Sequence, residues 1–314
     1  FTLAVLLNAY MLSACSINIG ADRSAGHYER DAAGYGANDG VIERSLSVRP
    51  FTALECRLPA SVTYVQTNDQ APKVVLKGAP AMVERCVVDV RDGKLQLYLV
   101  QKAKQSMKRF SQSRNQLNIT VYGGRLTALA VQSACTFYAA QLETSQLALS
   151  NAGASSIRVG RFAGQQLTMS CSGASSTKLA GNVAKLMLNV TGASSFVANE
   201  FTTQDLKAKV SGASTAKCAL QGSAGVDVSG ASTLTLSGTA DLFTIKCSGA
   251  SSVKAADLKA QNVVVDVAGA SGVKCYAARS IKGTVGCGSL TYGGRPTSYN
   301  VERQNTSASI KAVD

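Results

Sequence analysis

Apolar and polar residues alternate on both sides of a tripeptide, Gly-Ala-Ser, that recurs along the chain from Gly153 onward. Counted from its glycine, positions +4 and +6 are apolar in nearly every copy and position +5 is mostly polar. Before the glycine, positions −4 and −2 are apolar around a polar −3. A period of two predicts β-strands with one buried face. No window of the repeats keeps the 3.6-residue stripe of a helix, which excludes helical repeat folds.

The tripeptide recurs at a nearly fixed period. Seven intact copies begin at Gly153, Gly173, Gly192, Gly212, Gly230, Gly249 and Gly269, in steps of 20, 19, 20, 18, 19 and 20 residues. Degenerate copies at Ala134 and Gly286 extend the series in both directions. Such a period indicates one small unit stacked on itself. Because the unit consists of strands, we predict an all-β fold, a parallel β-helix (β-solenoid) of ~19–20-residue coils about 4.8 Å apart.

Gly-Ala-Ser is predicted to form a corner between strands. There we expect glycine to supply an unusual backbone conformation, alanine to fit a narrow interior, and serine to bond to the same serine one coil away. The serine column, from Ser155 to Ser271, could also be interpreted as a set of nucleophiles. A nucleophilic serine needs an adjacent base, and the single histidine, His27, lies outside the repeats. We therefore interpret the column as structural and predict no catalytic residue.

The N-terminal residues have the pattern of an export signal. An apolar run (FTLAVLLNAY) is followed by Leu-Ser-Ala-Cys ending at Cys15, which resembles the lipobox of bacterial lipoproteins. The alternative is a chance match within an ordinary signal. We expect residues 1–14 to be part of a lipoprotein signal peptide that begins upstream, Cys15 to be lipidated, and residues 15–40 to be a flexible tether. Ser16 after the cysteine favours the outer membrane, on its periplasmic or cell-surface side.

The rest of the chain, residues 41–314, is predicted to form a single solenoid domain. Residues 41–130 lack the corner but contain short alternating segments bounded by turns such as Arg91-Asp92-Gly93-Lys94, and are expected to be irregular N-terminal β coils. The Gly-Ala-Ser repeats occupy 131–296, and 297–314 are a C-terminal cap or tail.

Four cysteines of the repeats are predicted to be buried. Two pairs share an inward column but lie three or four coils apart: Cys218 with Cys275, and Cys171 with Cys247. A disulfide needs a Cα separation of about 4.4–6.8 Å, so these residues are interpreted as small buried hydrophobes. Whether Cys56 and Cys86 pair is left open.

The net charge of +13 favours acidic partners. Position +5 concentrates part of this charge on one outer strand, and we predict Lys178, Lys217, Lys254 and Lys274, in line with Arg158, as candidate anion-binding residues. The alternative is solvated charge that blunts strand edges. The expected partner is an acidic polysaccharide or an anionic lipid surface. Nucleic acid is not expected, because no nucleic-acid-reading motif is present. No metal and no cofactor are predicted.

Several segments together resemble a known family. They are "VIERSLSVRPFTALE", "SVTYVQ", "VRDGKLQLYL", "LNITVYGGRLTALAVQSA", the Gly-Ala-Ser coils and "LTYGGRP". From about Val41 to Pro296 the chain resembles the putative auto-transporter adhesin, head GIN domain family. The resemblance implies a right-handed β-helix, a lipoprotein of Gram-negative bacteria and no known catalysis.

The function that follows is a non-catalytic, lipid-anchored envelope protein, an adhesin that binds surface or matrix polymers along its β-helix. One alternative is a structural or signalling envelope protein without an external ligand. Another is a polysaccharide lyase or hydrolase, which would need clustered carboxylates. The outward acids at equivalent positions of the repeats, Asp227 and Asp266, are two coils apart. The sequence does not indicate an oligomeric state.

The lipobox predicts the outcome of a single substitution. Changing Cys15 to serine in the full-length precursor should abolish incorporation of a labelled fatty acid and release the protein from the membrane fraction, because the thiol that accepts the lipid is missing. Unchanged membrane retention would contradict the lipoprotein interpretation.

Overall fold

The computed structural model describes residues 40–67, 70–100 and 117–313. The predicted signal peptide, Cys15 and all of the predicted tether before Gly40 lie outside the described residues. The described chain is nearly all β and forms a solenoid of about 9 turns with ~20-residue coils. The fold class predicted from the repeats is thereby confirmed.

Seven long strands of 14 to 16 residues build the repeat region, each running through one coil from corner to corner. They are β11 (Ser156–Cys171), β12 (Ser176–Val190), β13 (Ser195–Val210), β14 (Thr215–Val228), β15 (Thr233–Cys247), β16 (Ser252–Val267) and β17 (Gly272–Val285). Consecutive strands pair in parallel along both halves of their length.

Each long strand has two regular segments separated by a bend, where the register with the next coil shifts. We call the segment that follows the corner face A, for example residues 156–159, and the segment that leads into the next corner face B, for example residues 166–171. Three shorter strands supply the preceding coils: β8 (Ala128–Gln132) and β10 (Gln146–Asn151) on face B, and β9 (Thr136–Glu143) on face A.

The N-terminal coils are not stacked in chain order. The first coil consists of β2 (Ala53–Arg57) and β3 (Ser61–Gln66). On its outer side it pairs with β6 (Lys94–Leu99) and β7 (Asn118–Gly123), and on its inner side with β8 and β9. Along the chain, β2 and β3 therefore form the first coil, β6 and β7 add a coil on its outer side, and β8 and β9 then add a coil on its inner side. The sequence predicted irregular coils here, but its period-two pattern contains no information on stacking order.

Antiparallel strands cover the outer side of this end. Strand β4 (Lys73–Gly78) pairs antiparallel with β7 and with β1 (Ile42–Ser47). Strand β5 (Cys86–Arg91) pairs antiparallel with β6, and the short helix α1 (Pro80–Val83) connects β4 to β5. Asp92 and Gly93 join β5 to β6 with φ of 50° and 70°, the two positive angles of a type I′ hairpin turn. These strands pair with edges that would otherwise be open.

Three strands continue the solenoid after β17. Strands β18 (Ser289–Gly293) and β20 (Ser309–Val313) extend face A, and β19 (Ser298–Arg303) extends face B. All three pair in parallel, so the chain beyond Pro296 adds strands to both faces.

The core confirms the predicted alternation. Val228 and Ile245 are at most 1% exposed, whereas Lys246 is exposed. At the bend, Phe162 and Phe201 come from coils two apart, yet their ring centroids are 6.3 Å from each other. Gly181 lies between them in register, and a side chain there would overlap the backbone of Phe162. The absence of a side chain at Gly181 thus lets the backbones of these two coils stack closely.

The corners differ from the prediction at their alanine. Ala174 and its equivalents are exposed, so the expectation of an interior alanine is wrong. The serine side chain occupies the interior instead and is at most 2% exposed at every intact corner. The corner glycines have φ between 67° and 82°, and the amide of the following alanine donates to the glycine carbonyl one coil earlier. For Ala213 and Gly192 this bond is 2.8 Å long.

The buried serines donate mainly to backbone carbonyls of the preceding coil. Ser214 Oγ donates to Gly192 O at 3.2 Å and Ser251 Oγ to Val228 O at 3.1 Å. Among the described corners, a serine-to-serine bond joins Ser175 and Ser194. The structural role predicted for the column is confirmed, whereas the predicted partner is correct at that one step. Carbonyl acceptors dominate because an inward hydroxyl lies beside the corner backbone of the coil before it.

Two glycines of neighbouring coils allow a matched test of the corner. Gly212 has φ +82° and a Cβ built on it lies 2.5 Å from Gly192 O, whereas a Cβ on Gly225 meets nothing within 4 Å. We expect Gly212→Ala to lower the free energy of unfolding by at least about 1–2 kcal/mol, and Gly225→Ala to leave it unchanged or raise it slightly. Guanidinium unfolding midpoints measure both. Equal midpoints would contradict the role assigned to the corner.

Candidate anion-binding face

The four lysines predicted from the repeat lie in one line on face A. Lys178 is in register with Val197, which is in register with Lys217; Thr235 separates Lys217 from Lys254 in the same way. Lys254 and Lys274 are in register in consecutive coils. All four lysines are exposed. With about 4.8 Å between coils, successive lysines are about 10, 10 and 5 Å apart along the solenoid.

The line is longer than the four lysines. Arg158 precedes Lys178 in register, as the sequence indicated. At the other end, Lys274 is followed by Thr291 and then by Lys311. We call Arg158, Lys178, Lys217, Lys254, Lys274 and Lys311 the cation file.

Sequence reasoning missed Lys311 and also Tyr138, which is in register with Arg158 at the N-terminal end of the file. The degenerate corner was placed at Ala134, and counting five residues from there ends at buried Ala139. In the structure Ser133 takes the place of the corner glycine, and Tyr138 is five residues after it. Lys311 lies within β20, which no Gly-Ala-Ser tripeptide precedes, and the sequence signal of its outward position is the apolar residue before it, Ile310.

Buried neighbours fix the direction of each cation. Thr177 and Leu179, on either side of Lys178, are at most 2% exposed, and Ile157 and Val159 bury themselves in the same way beside Arg158. Because the strand is hydrogen-bonded on both sides, its Cα positions cannot shift independently. The cation file is therefore a row of long side chains whose Cα positions are fixed by the strands.

The file contains charge of a single sign. Within residues 40–67, 70–100 and 117–313, none of its six cations lies within 4.0 Å of a carboxylate, and the ion pairs formed in these ranges belong to β1–β6. The residues that interrupt the file, Val197, Thr235 and Thr291, are uncharged. Like charges one coil apart repel by somewhat less than about 1 kcal/mol in bulk water.

Face B handles its charge differently. Lys209, Asp227, Lys246 and Asp266 follow one another in register at position −3. Each charge there has an opposite charge one coil away, so the line is neutral as a whole. The lysines at position −3 of face B and those of the cation file thus stand in opposite electrostatic settings.

A second line of polar groups runs beside the cation file, two residues earlier in each strand. It consists of Thr136, Ser156, Ser176, Ser195, Thr215, Thr233, Ser252, Ser289 and Ser309, with Gly272 as the interruption. All of these side chains are at least partly exposed. None of their hydroxyls has a hydrogen-bond partner within the described part of the chain. We call this line the hydroxyl file.

Cys171, Cys218, Cys247 and Cys275 are at most 3% exposed, which confirms their predicted burial, whereas Cys287 is exposed. Burial raises the pKa of Cys218 and of Cys275 to about 12. Cys56 and Cys86 are both buried and both carry a free thiol. Interaction with Cys135, together with burial, raises the pKa of Cys56, and burial raises the pKa of Cys86 to about 12.

The described residues contain no group of three or more His, Cys, Asp or Glu side chains placed to hold a metal ion. Over the same ranges, no helix is long and apolar enough to cross a bilayer. The ammonium, guanidinium and hydroxyl groups of face A can bind anions through charge and hydrogen bonds.

The contrast between the faces predicts opposite effects of one charge reversal. Lys254→Glu places a carboxylate beside Lys274, whereas Lys246→Glu places one between Asp227 and Asp266. We expect Lys254→Glu to raise the free energy of unfolding at low salt by a few tenths of a kcal/mol, and Lys246→Glu to lower it by a similar amount. Unfolding midpoints with and without 1 M NaCl measure this, and both differences should shrink in salt. Shifts of the same sign would contradict the electrostatic contrast.

Several solved structures are similar to this chain. An adhesin described as putative, from Bacteroides fragilis, is 18% identical, with 89% of this chain and 100% of that chain covered and a TM-score of 0.45. A putative lipid binding protein from Parabacteroides distasonis is 18% identical over 88% of this chain and 98% of its own, with a TM-score of 0.48. A putative adhesin from Parabacteroides merdae is 14% identical over the same shares, with a TM-score of 0.47.

The sequence itself places the chain in a family. No curated protein matches it significantly. The sequence profile of the family described as "Putative auto-transporter adhesin, head GIN domain" matches residues 50–233 and 221–296. The two matches span most of the solenoid and agree with the resemblance found in the individual segments. The chain therefore belongs to the putative auto-transporter adhesin, head GIN domain family.

Proposed function

We propose that this protein is a non-catalytic adhesin of the bacterial envelope, attached by a lipid on Cys15, that binds acidic polymers through face A. The observation that carries the proposal is the single sign of the cation file. Six cations stand in register with no acid among them. An anionic partner would neutralise all of them at once.

Solubility alone does not require this arrangement. Lysines that protect strand edges and keep the surface hydrated can alternate with acids, as Lys209 and Lys246 do on face B. On face A, repulsion between Lys254 and Lys274 weakens the fold slightly and brings no compensating contact within the described residues. An anionic partner would supply the opposite charge that Lys254 and Lys274 lack within the described residues, and that Lys209 and Lys246 on face B already have one coil away.

The chemistry of the faces supports binding over catalysis. Hydrolysis or elimination on a glycan uses carboxylates close together, or carboxylates around a cation. The outward acids Asp227 and Asp266 are separated by Lys246 in the register. On face A, lysine and hydroxyl groups supply hydrogen-bond donors and positive charge, which suit a polyanion.

Family membership supports a place in the envelope or on the cell surface. The lipobox at Cys15 would supply the attachment, and residues 15–40 would hold the solenoid away from the lipid. The lipid would keep the domain at the membrane, so that face A would not be needed for attachment and could bind polymers.

Charge removal from the file tests the proposal. The variant in which Lys178, Lys217, Lys254 and Lys274 are all changed to Gln should bind immobilised polygalacturonate, dextran sulfate or vesicles with anionic headgroups at least about tenfold more weakly at low salt, because exposed pairs contribute a few tenths of a kcal/mol or more each. Wild-type binding should itself weaken as salt rises.

The matched control removes the same charge from face B. Changing Lys207, Lys209, Lys246 and Lys282 to Gln lowers the net charge equally, and all four are exposed. This control should retain most of the wild-type affinity. If the face A variant binds all three probes as tightly as wild type, or if the control loses as much affinity as it does, the cation file has no special role and the proposal fails.

A further inference from the structure

We infer that the acidic polymer is a linear polysaccharide lying along the cation file, with one sugar per coil, an acidic group on at least every second sugar, and Tyr138 stacked on a sugar at one end. This inference rests on the proposed function and narrows it to one class of ligand. Three features of face A point to that class: the spacing of the cations, the hydroxyl file beside them, and the exposed ring at the end of the line.

The spacing suits a polymer whose units repeat with the coils. Neighbouring coils are about 4.8 Å apart, close to the length that one sugar adds to an extended polysaccharide. Lys178, Lys217 and Lys254 occupy every second coil, and Lys274 and Lys311 are also two coils apart. Acids on alternate sugars would therefore meet Lys178, Lys217 and Lys254 in a single register. Acids on every sugar would also meet Arg158, Lys274 and Lys311, which lie on the coils between.

The hydroxyl file supplies the second kind of contact that a sugar needs. Each sugar carries several hydroxyls, which are satisfied only by groups that can both donate and accept hydrogen bonds. Serine and threonine hydroxyls do both, and those of the file are exposed and unbonded within the described ranges. They lie on the same strand as the cations, two residues away, as Ser176 does from Lys178. A polymer lying over the cations would cover them as well.

Tyr138 supplies the third contact. Its side chain is 41% exposed, while Phe137 and Ala139 on either side are fully buried and hold the strand in place. Tyr138 is in register with Arg158, one coil beyond the last cation. An exposed aromatic ring offers a flat apolar surface on which the apolar face of a sugar ring can stack, next to a group that binds its acid.

The same features argue against other polyanions. A membrane surface is usually bound by cations together with apolar side chains that enter the lipid. The other exposed large hydrophobic residues in the described ranges lie outside the two files: Val41, Val65, Val100, Leu242, Tyr299 and Val313. Single-stranded nucleic acid is typically bound by several aromatic platforms for successive bases, whereas Tyr138 is the one aromatic residue in line with the cation file within the described residues.

A length series tests the arrangement. Affinity for purified oligogalacturonates should rise by about tenfold or more between four and eight sugars, and should rise little beyond about ten, because Tyr138 to Lys311 spans nine coil steps of about 4.8 Å. A face that recognised only a local cluster of charge would reach full affinity at three or four sugars. That result would overturn the inference.

Tyr138 provides the second test, with its own control. Tyr138→Ala should weaken binding of a ten-sugar oligogalacturonate by about threefold to tenfold, and Tyr138→Phe should bind like wild type, since the ring and not the hydroxyl makes the contact. Binding of the wild type to phosphatidylglycerol vesicles or to an oligodeoxynucleotide of equal charge should be at least about tenfold weaker than to the oligosaccharide.

The outcomes separate the inference from the proposed function. Suppose that the lysine variant of face A loses binding to acidic probes, but the affinity of the wild type does not depend on the number of sugars. Face A then binds polyanions and the polysaccharide arrangement is wrong. The same conclusion follows if vesicles or the oligodeoxynucleotide bind the wild type as tightly as the oligosaccharide does. If Tyr138→Ala binds like wild type, the end contact is wrong. If the lysine variant keeps its affinity for every acidic probe, the proposed function fails and the inference fails with it.

Discussion

Each coil of this protein takes its position from the main-chain hydrogen bonds that it makes with the coil before it. At the corners the constraint is tightest, because an alanine amide donates to a glycine carbonyl one coil earlier and the buried serine adds a side-chain bond to the same backbone. The positive φ of the glycines brings the two backbones close enough for this. A corner that slipped by one residue would lose these bonds and would also turn the inward residues outward. Register is therefore determined once per coil, at the corner.

Fixed register has a consequence for the surface. Any residue type that recurs at an outward position becomes a line of that residue along the solenoid, whether or not the line is useful. Face B shows a line in which the charges cancel, from Lys209 to Asp266, and face A shows one in which they do not. Since the backbone treats both faces alike, the difference lies entirely in the side chains.

The sequence was most informative where it repeats. Alternation around the Gly-Ala-Ser tripeptide was enough to predict the strands, the inward residues such as Ile245, and the common line of Lys178 and Lys274, because a fixed period makes every coil a copy of the last. It misplaced the corner alanine, since small side chains suit an exposed tight turn as well as a narrow interior. The end of the cation file at Lys311 was missed because the motif is absent there. The alternation of apolar and polar residues could not predict the stacking order at the N-terminal end, because parallel strands with the same alternation can pair with any of their neighbours.

That stacking order changes how the domain would respond to tension. In a solenoid wound in chain order, the first coil is the outermost one, and a pull on the N-terminal side peels it away a few hydrogen bonds at a time. Here β2 and β3 are paired on both sides, with β6 and β7 beyond them and β8 and β9 behind. Once β1 has detached, a pull from that side must slide β2 out from between two partners, so that many hydrogen bonds are strained together. A domain held at its N-terminal side while its long face is attached to something else would therefore carry the load on many hydrogen bonds at once, where the force enters.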